Sequence, residues 1–466
     1  MNFGEVRFWV ILGVSLLAVG ILRLPVKCWW SARTDTFDRV ALISIGLLLL
    51  LAVSWQTFMI YAASALATFC SLKWIMQRPE ERRLLGLAVL APALLLPLFW
   101  YKYANFLLND VAGLGVVSAA GLIIPAGISF YSFQKVAFVV DTIRQRQPLP
   151  SFLNFLNFAG FFPQVVAGPI ERREDLLPQM ERFRFRWNVT DINEGCRRIT
   201  LGLFYKCVLA DNLATLNPPE LPGNAYAVWL ANLLFGLRIY FDFAGYSLTA
   251  LGIARCLGVT LTLNFASPYC STSIGEFWRR WHISLSQWFR DYVYLPLGGG
   301  RSRWWWAVLV VVFLVSGIWH GAGWSFVLWG AMHAAFMICH RLSSKRIQLS
   351  ALAGWLLTQA SVLLAWLPFY EVRPTVMLTK LQSLCLPASY VPERLRALLA
   401  AMDTRQQLSI ALFLGLTAVV VFAEWRSLRT EQPYRHLMHS WVLIVMVLLM
   451  AWFTPTTSNS FIYFAF

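Results

Sequence analysis

Repeated apolar stretches of about 20 residues, each nearly free of charge, leave this chain few ways to fold. They cover Val6–Leu22, Val40–Ser71 (room for two short spans), Leu84–Trp100, Phe152–Ala167, Tyr226–Gly258, Trp304–Ile338, Ala351–Tyr370, Leu408–Ala423 and Trp441–Phe453. Of the 466 residues, 58% are hydrophobic and 13% charged, and the mean hydropathy is +0.59. An ordinary soluble domain is about a quarter charged, so a water-soluble core cannot absorb this much apolar surface. The runs lack the strand-like alternation of a membrane barrel. The expected fold is therefore all-α, a polytopic integral membrane protein with roughly ten or eleven crossings.

Residues Met1–Leu24 resemble a signal peptide in position only. The run is long and no small-x-small cleavage site follows before Lys27 and Trp29, so a retained first span is expected. Lys27, Arg33 and Arg39 fall in one loop and Lys73, Arg78, Arg82 and Arg83 in another, with two spans between. Both loops should face the cytoplasm, which leaves the N-terminus outside. The net charge is +16, from 39 Lys and Arg against 23 Asp and Glu. These charges are scattered among loops and form no basic stripe, so anionic lipid headgroups account for them and nucleic acid does not.

The eight cysteines form no CxxC pair and mostly border apolar runs, which reads as small core residues, with neither a disulfide frame nor a metal site. With no large soluble extension, low-complexity linker or internal repeat, one membrane domain over residues 1–466 is the simplest expectation.

Three places carry candidate chemistry. Residues 272–303 hold three tryptophans, five arginines and a histidine, too polar to span. As one helix over Glu276–Tyr292, Trp278, Trp281, Leu285 and Trp288 share one face, while Arg279, Arg280 and Arg290 share the other. A helix lying at the membrane surface fits that pattern, with His282 and Ser286 on the border between faces. An interfacial anchor without chemistry is the alternative.

Second, Trp304–His340 contains no Asp, Glu, Lys or Arg and would be about 55 Å long as one helix, against a bilayer core of roughly 30 Å. A break at Gly321-Ala322-Gly323 is expected, placing His320 at the apex of a hairpin. An intramembrane histidine is a functional candidate by default, although a hydrogen bond to a neighbouring span would also explain it. Third, Asp242 lies mid-span, four residues after Arg238, and an intrahelical ion pair between them is the favoured role.

Seven strings then occur in order: Pro125-Ala-Gly-Ile-Ser-Phe-Tyr-Ser-Phe-Gln134, Phe162-Pro-Gln-Val-Val-Ala-Gly-Pro-Ile170, Tyr240-Phe-Asp-Phe-Ala-Gly-Tyr-Ser247, Asn264-Phe265 with Ser267-Pro268-Tyr269, Glu276-Phe-Trp-Arg-Arg-Trp-His-Ile-Ser-Leu-Ser286, Arg290-Asp-Tyr-Val-Tyr-Leu-Pro-Leu-Gly-Gly299, and Ser316-Gly-Ile-Trp-His-Gly-Ala-Gly-Trp324. Together they resemble the membrane-bound O-acyltransferase superfamily, in its bacterial alginate O-acetylation-like branch, with the motif-bearing core at about residues 125–340. Near Leu367-Pro-Phe-Tyr-Glu-Val372 the chain departs from alginate-type members, which tend to show Phe-Arg where Phe369-Tyr370 stands.

The resemblance implies helices ringing a central funnel, with interfacial and re-entrant helices. His320 then matches the characteristic histidine and His282 the second family position, so these two are the implied catalytic pair. It also implies acyl transfer from cytoplasmic acetyl-CoA toward a secreted polysaccharide of alginate or cellulose type, completed by an extracytoplasmic partner acetyltransferase and requiring no metal. Arg279, Arg280 and Arg290 are candidates for the coenzyme A phosphates. Peptidoglycan as acceptor, or a transporter or scaffold without its own transferase chemistry, are the alternatives.

Overall fold

The structure, a computed structural model, describes residues 3–29, 33–115, 124–344, 346–430, 432–456, 459, 461 and 462. Among these, every regular element is helical. Seven helices are long and apolar enough to cross a membrane by length and composition, and Trp305–His320 and Ser440–Phe453 are shorter apolar helices. The chain divides into two compact units, Met1–Ile199 with Ser247–Leu263, and Thr200–Tyr246 with Asn264–Phe466.

The first unit begins with α1 (Val6–Trp29), α2 (Thr34–Val53), α3 (Trp55–Met76) and α4 (Glu80–Leu98). The run Val40–Ser71 divides at Ser54, whose hydroxyl accepts from Thr57 N–H and caps α3. Val6, Leu17 and Leu24 of α1 are exposed, as a lipid-facing helix requires. One polar clamp holds α1 to α2: Arg23 donates twice to the buried Asp38, at 2.8 and 2.7 Å. Next come α5 (Ile128–Arg144), α6 (Phe152–Ala159) and α7 (Arg173–Glu181). The apolar run Phe152–Ala167 is helical only over its first eight residues, too short to cross a bilayer. Its remainder forms turns, and Phe158, Phe161, Phe162 and Val165 are buried in protein, which corrects its reading as a span.

Helices α8 (Val189–Leu203) and α10 (Ala225–Cys256) contribute to both units, and the single turn α9 (Asp211–Leu213) to the second. The second unit continues with α11 (Ile274–Arg280), α12 (Ile283–Phe289), α13 (Trp305–His320), α14 (Trp324–Ser343), α15 (Ala351–Tyr370), α16 (Pro374–Cys385), α17 (Pro392–Ala400), α18 (Thr404–Ser427) and α19 (Ser440–Phe453). Side-chain caps start three of these: Ser273 on Glu276 N–H, Ser350 on Ala353 N–H and Asp403 on Gln406 N–H.

The charge-free stretch from Trp304 folds as a hairpin of α13 and α14, broken at Gly321–Gly323. The glycines are needed for space. Gly321 and Gly323 are extended (φ −162° and 178°), a conformation open to any residue. A Cβ on Gly321, however, would lie 2.0 Å from Phe326 Cε2, and one on Gly330 would lie 2.4 Å from the Phe313 carbonyl oxygen. The two helices approach closely because no side chain stands between them.

Candidate active site

The surface helix expected over Glu276–Tyr292 is two helices with a break at Trp281–His282. Trp281 is extended (φ −98°, ψ 125°) and His282 left-handed (φ 42°, ψ 58°). Segment 264–266 imposes the break by hydrogen bonding. The Asn264 carbonyl accepts from Ile283 N–H at 2.9 Å, and the Arg280 carbonyl accepts from Ala266 N–H at 3.0 Å. In a continuous helix the Ile283 and Ser284 amides would instead have bonded to the carbonyls of Arg279 and Arg280. The Asn264 side-chain oxygen adds bonds from Ser284, the hydroxyl at 2.6 Å and the amide at 3.4 Å. A non-glycine residue in the left-handed region persists only where its surroundings over-determine it, and here four hydrogen bonds do so.

The break turns the His282 ring inward. It is buried, meets Phe243 at 4.7 Å edge-on, and packs against Phe265 and Trp319. Burial pushes its imidazole down to about 3, so it is neutral throughout the physiological range.

His320 ends α13 and is also buried. Its ring packs edge-to-face on Trp319 and Trp329, both at 4.9 Å, and on Phe369 at 5.3 Å. The Trp319 indole thus touches both histidines, 38 residues apart in sequence, inside one unit. His333 of α14 reaches the same cluster: its ring lies 4.6 Å from Trp329 and 4.9 Å from Trp278.

A cavity of about 540 Å³ adjoins this group, lined by Trp278, Ser286, Phe313 and Ser316, with Arg279 and Arg290 among its polar walls. Trp278 packs on Trp329 at 5.8 Å, so one aromatic layer lies between this wall and His320. The three arginines differ. Arg279 is exposed. Arg290 is exposed and paired with the adjacent Asp291 at 2.7 Å. Arg280 is engaged in structure, donating to Glu276 at 2.8 Å and to the Ala266 carbonyl at 3.1 Å.

Asp242 does not pair with Arg238 as expected. It bonds Lys206 at 2.8 Å, and Lys206 also bonds Asp211 at 2.9 Å, all three being buried. The second Asp242 oxygen accepts from Ile462 N–H at 2.7 Å. Beside it, Phe461 stacks on Tyr246 at 4.8 Å and edges Phe243, the ring that faces His282. No helical periodicity signals these contacts, because Lys206 and Ile462 come from distant parts of the chain. Among the described residues no group of three His, Cys, Asp or Glu side chains is disposed to hold a metal ion.

Comparison with known proteins places these features in a wider set. The chain is 32% identical over 340 residues to the peptidoglycan O-acetyltransferase of Helicobacter pylori, covering 65% of this chain and 64% of that protein. It is 38% identical over 261 residues to the probable alginate O-acetylase AlgI of Azotobacter vinelandii, covering 52% and 50%. With the teichoic acid D-alanyltransferase of Bacillus subtilis it shares 30% identity over 237 residues, covering 47% and 59%. The chain thus matches between half and just under two thirds of the length of these relatives. The MBOAT profile, membrane-bound O-acyltransferase family, matches residues 41–367, a segment that contains both His282 and His320. On that match, this chain belongs to the membrane-bound O-acyltransferase family.

Proposed function

We propose that the protein is a membrane O-acetyltransferase that takes acetyl groups from cytoplasmic acetyl-CoA and delivers them across the inner membrane for O-acetylation of a secreted polysaccharide. The observation that carries this reading is the meeting of His282 and His320 on the Trp319 indole, beside a cavity bearing Arg279 and Arg290. A buried aromatic surround of low polarity strengthens the electrostatic interactions within it.

In this reading His320 is the general base. Its imidazole takes the proton of the acceptor hydroxyl as that oxygen attacks the thioester carbonyl carbon. The carbon–sulfur bond then breaks, and the same proton goes to the departing thiolate. A variant of the scheme makes His320 the transient acyl-accepting nucleophile. His282, neutral because it is buried, donates its single N–H toward the oxyanion or orients the acceptor. Arg279 and Arg290 attract the coenzyme A phosphates, and Arg280 holds the fold of α11.

The whole chain acts as one domain in this proposal, with its N-terminus periplasmic and an extracytoplasmic acetyltransferase completing the reaction. Alginate- or cellulose-type polymer is the first choice of acceptor. Peptidoglycan is the second, favoured by the Helicobacter relative, whose alignment covers 65% of the chain.

The test is release of coenzyme A and transfer of labelled acetyl from acetyl-CoA in proteoliposomes, with oligomannuronate, cello-oligosaccharide or peptidoglycan fragments as acceptor. His320→Ala should lower transfer by about 10²- to 10⁴-fold, the usual contribution of a positioned acid–base group, at unchanged protein level. Full transfer by that variant would remove His320 from the mechanism. No acetyl-CoA turnover by wild type under any condition would favour a transporter or scaffold.

A further inference from the structure

Behind the His282 loop, and outside the family-matched segment, lies a carboxylate that the scheme above does not use. Glu424 of α18 is fully buried. Its Oε1 accepts from the Tyr240 hydroxyl at 2.7 Å and from the Tyr205 hydroxyl, and among the described residues no cation forms an ion pair with it. A buried carboxylate without a cation is costly unless hydrogen bonds hold it. An all-apolar set, leucine there with phenylalanine in place of both tyrosines, would pack at lower cost, so the ionisable group calls for an explanation.

Its partners lead to the catalytic loop. The Tyr240 ring packs on Phe265, Tyr269 and Trp281. Tyr205 packs on Tyr434, whose hydroxyl donates to the Phe265 carbonyl at 2.8 Å. Phe265 lies between Asn264 and Ala266, the residues whose hydrogen bonds break α11 from α12 and hold His282 left-handed. Backbone strain collects in the same place. Of the four non-glycine residues with positive φ among the described residues, Ser267, His282 and Tyr434 belong to this network, the pattern expected where tertiary structure enforces a working geometry.

We propose that Glu424 is a positioning residue for His282, acting through Tyr240, Tyr205 and Tyr434 on segment 264–267. The catalytic consequence rests on the acetyltransferase reading; the structural one does not. Glu424→Gln retains an oxygen acceptor for the tyrosines, Glu424→Leu retains none, and Tyr434→Phe removes the hydroxyl that bonds the Phe265 carbonyl while leaving Glu424 in place.

The experiment is amide hydrogen exchange of the purified full chain in nanodiscs, followed at Ile283 and Ser284, together with steady-state transfer. In Glu424→Leu and Tyr434→Phe, exchange at these amides should rise at least tenfold while α13 and α14 keep wild-type protection, and Glu424→Gln should stay close to wild type. Unchanged exchange in both disruptive variants, or a rise spread evenly over the molecule, overturns the proposal whether or not the chain transfers acetyl groups. If Glu424→Leu does not fold, Tyr434→Phe decides alone.

In the transfer assay Glu424→Leu should lower kcat at least tenfold with KM for acetyl-CoA held within twofold, and Glu424→Gln should recover most of that loss. Added to His282→Ala, Glu424→Leu should cause no further loss, because residues acting as a unit are non-additive. A multiplicative loss would make Glu424 independent of His282. Inert wild type with loosened exchange in the variants would sink the acetyltransferase reading and leave the positioning role standing.

Discussion

Burial sets the chemistry of single residues here more than charge pairing does. His282 is held neutral by desolvation, so the pH dependence of the proposed transfer between pH 5 and 8 should belong to other groups. Glu171 shows the same force on an acid: burial pushes its carboxyl up to about 7, only partly opposed by bonds from Thr262 N–H at 2.7 Å and Thr262 Oγ1 at 3.0 Å. The folded state therefore binds more protons than the unfolded state between about pH 4.5 and 7, and stability falls as pH rises through that window. Glu171→Gln should remove this slope. Relative to the variant, wild type should lose on the order of 2 kcal/mol between pH 5 and 8, read from melting midpoints in detergent. Equal slopes for the two proteins would refute the assignment. At this scale the sequence marked His320 and His282 by chemistry and resemblance, but not the partners of Asp242. Its preference for Lys206 over Arg238 depends on two helices meeting, which periodicity does not encode.

The α13/α14 hairpin was legible at the element scale because a charge-free stretch longer than a bilayer must turn. Its closeness was not, since Gly317 and Gly330 owe their roles to atoms across the hairpin. A Cβ on Gly317 would stand 2.2 Å from the Phe326 carbonyl oxygen. Gly330→Ala should force the helices apart and cost about 1–3 kcal/mol, as overpacking does, whereas Gly415→Ala, where nothing lies within 4 Å, should be neutral or slightly stabilising. Thermal midpoints of the two variants check this, and equal midpoints would show that the hairpin yields without cost. The break between α11 and α12 was not legible. The amphipathic pattern runs on through His282, and the acceptors that end the helix stand on Asn264.

For the whole molecule, the basic residues Lys27, Arg33 and Arg39 and the basic residues Lys73, Arg78, Arg82 and Arg83 are separated by the apolar lengths of α2 and α3. The proposed orientation puts both groups in the cytoplasm. In a variant lacking native cysteines, Pro79→Cys should resist a membrane-impermeant maleimide in intact cells and react after permeabilisation. Labelling of intact cells would invert the topology.

The sequence alone determined the solvent this protein folds in, its helical class and the two histidines most worth testing. Apolar length, loop charge and motif order are local properties, and a bilayer that satisfies no backbone hydrogen bond admits few architectures. Only the tertiary structure decided that His282 turns inward at a helix break, that Trp319 joins it to His320, and that Glu424 stands behind the loop. These depend on hydrogen bonds and ring contacts between residues up to 219 positions apart, and such pairings leave no trace in the spacing of a single element.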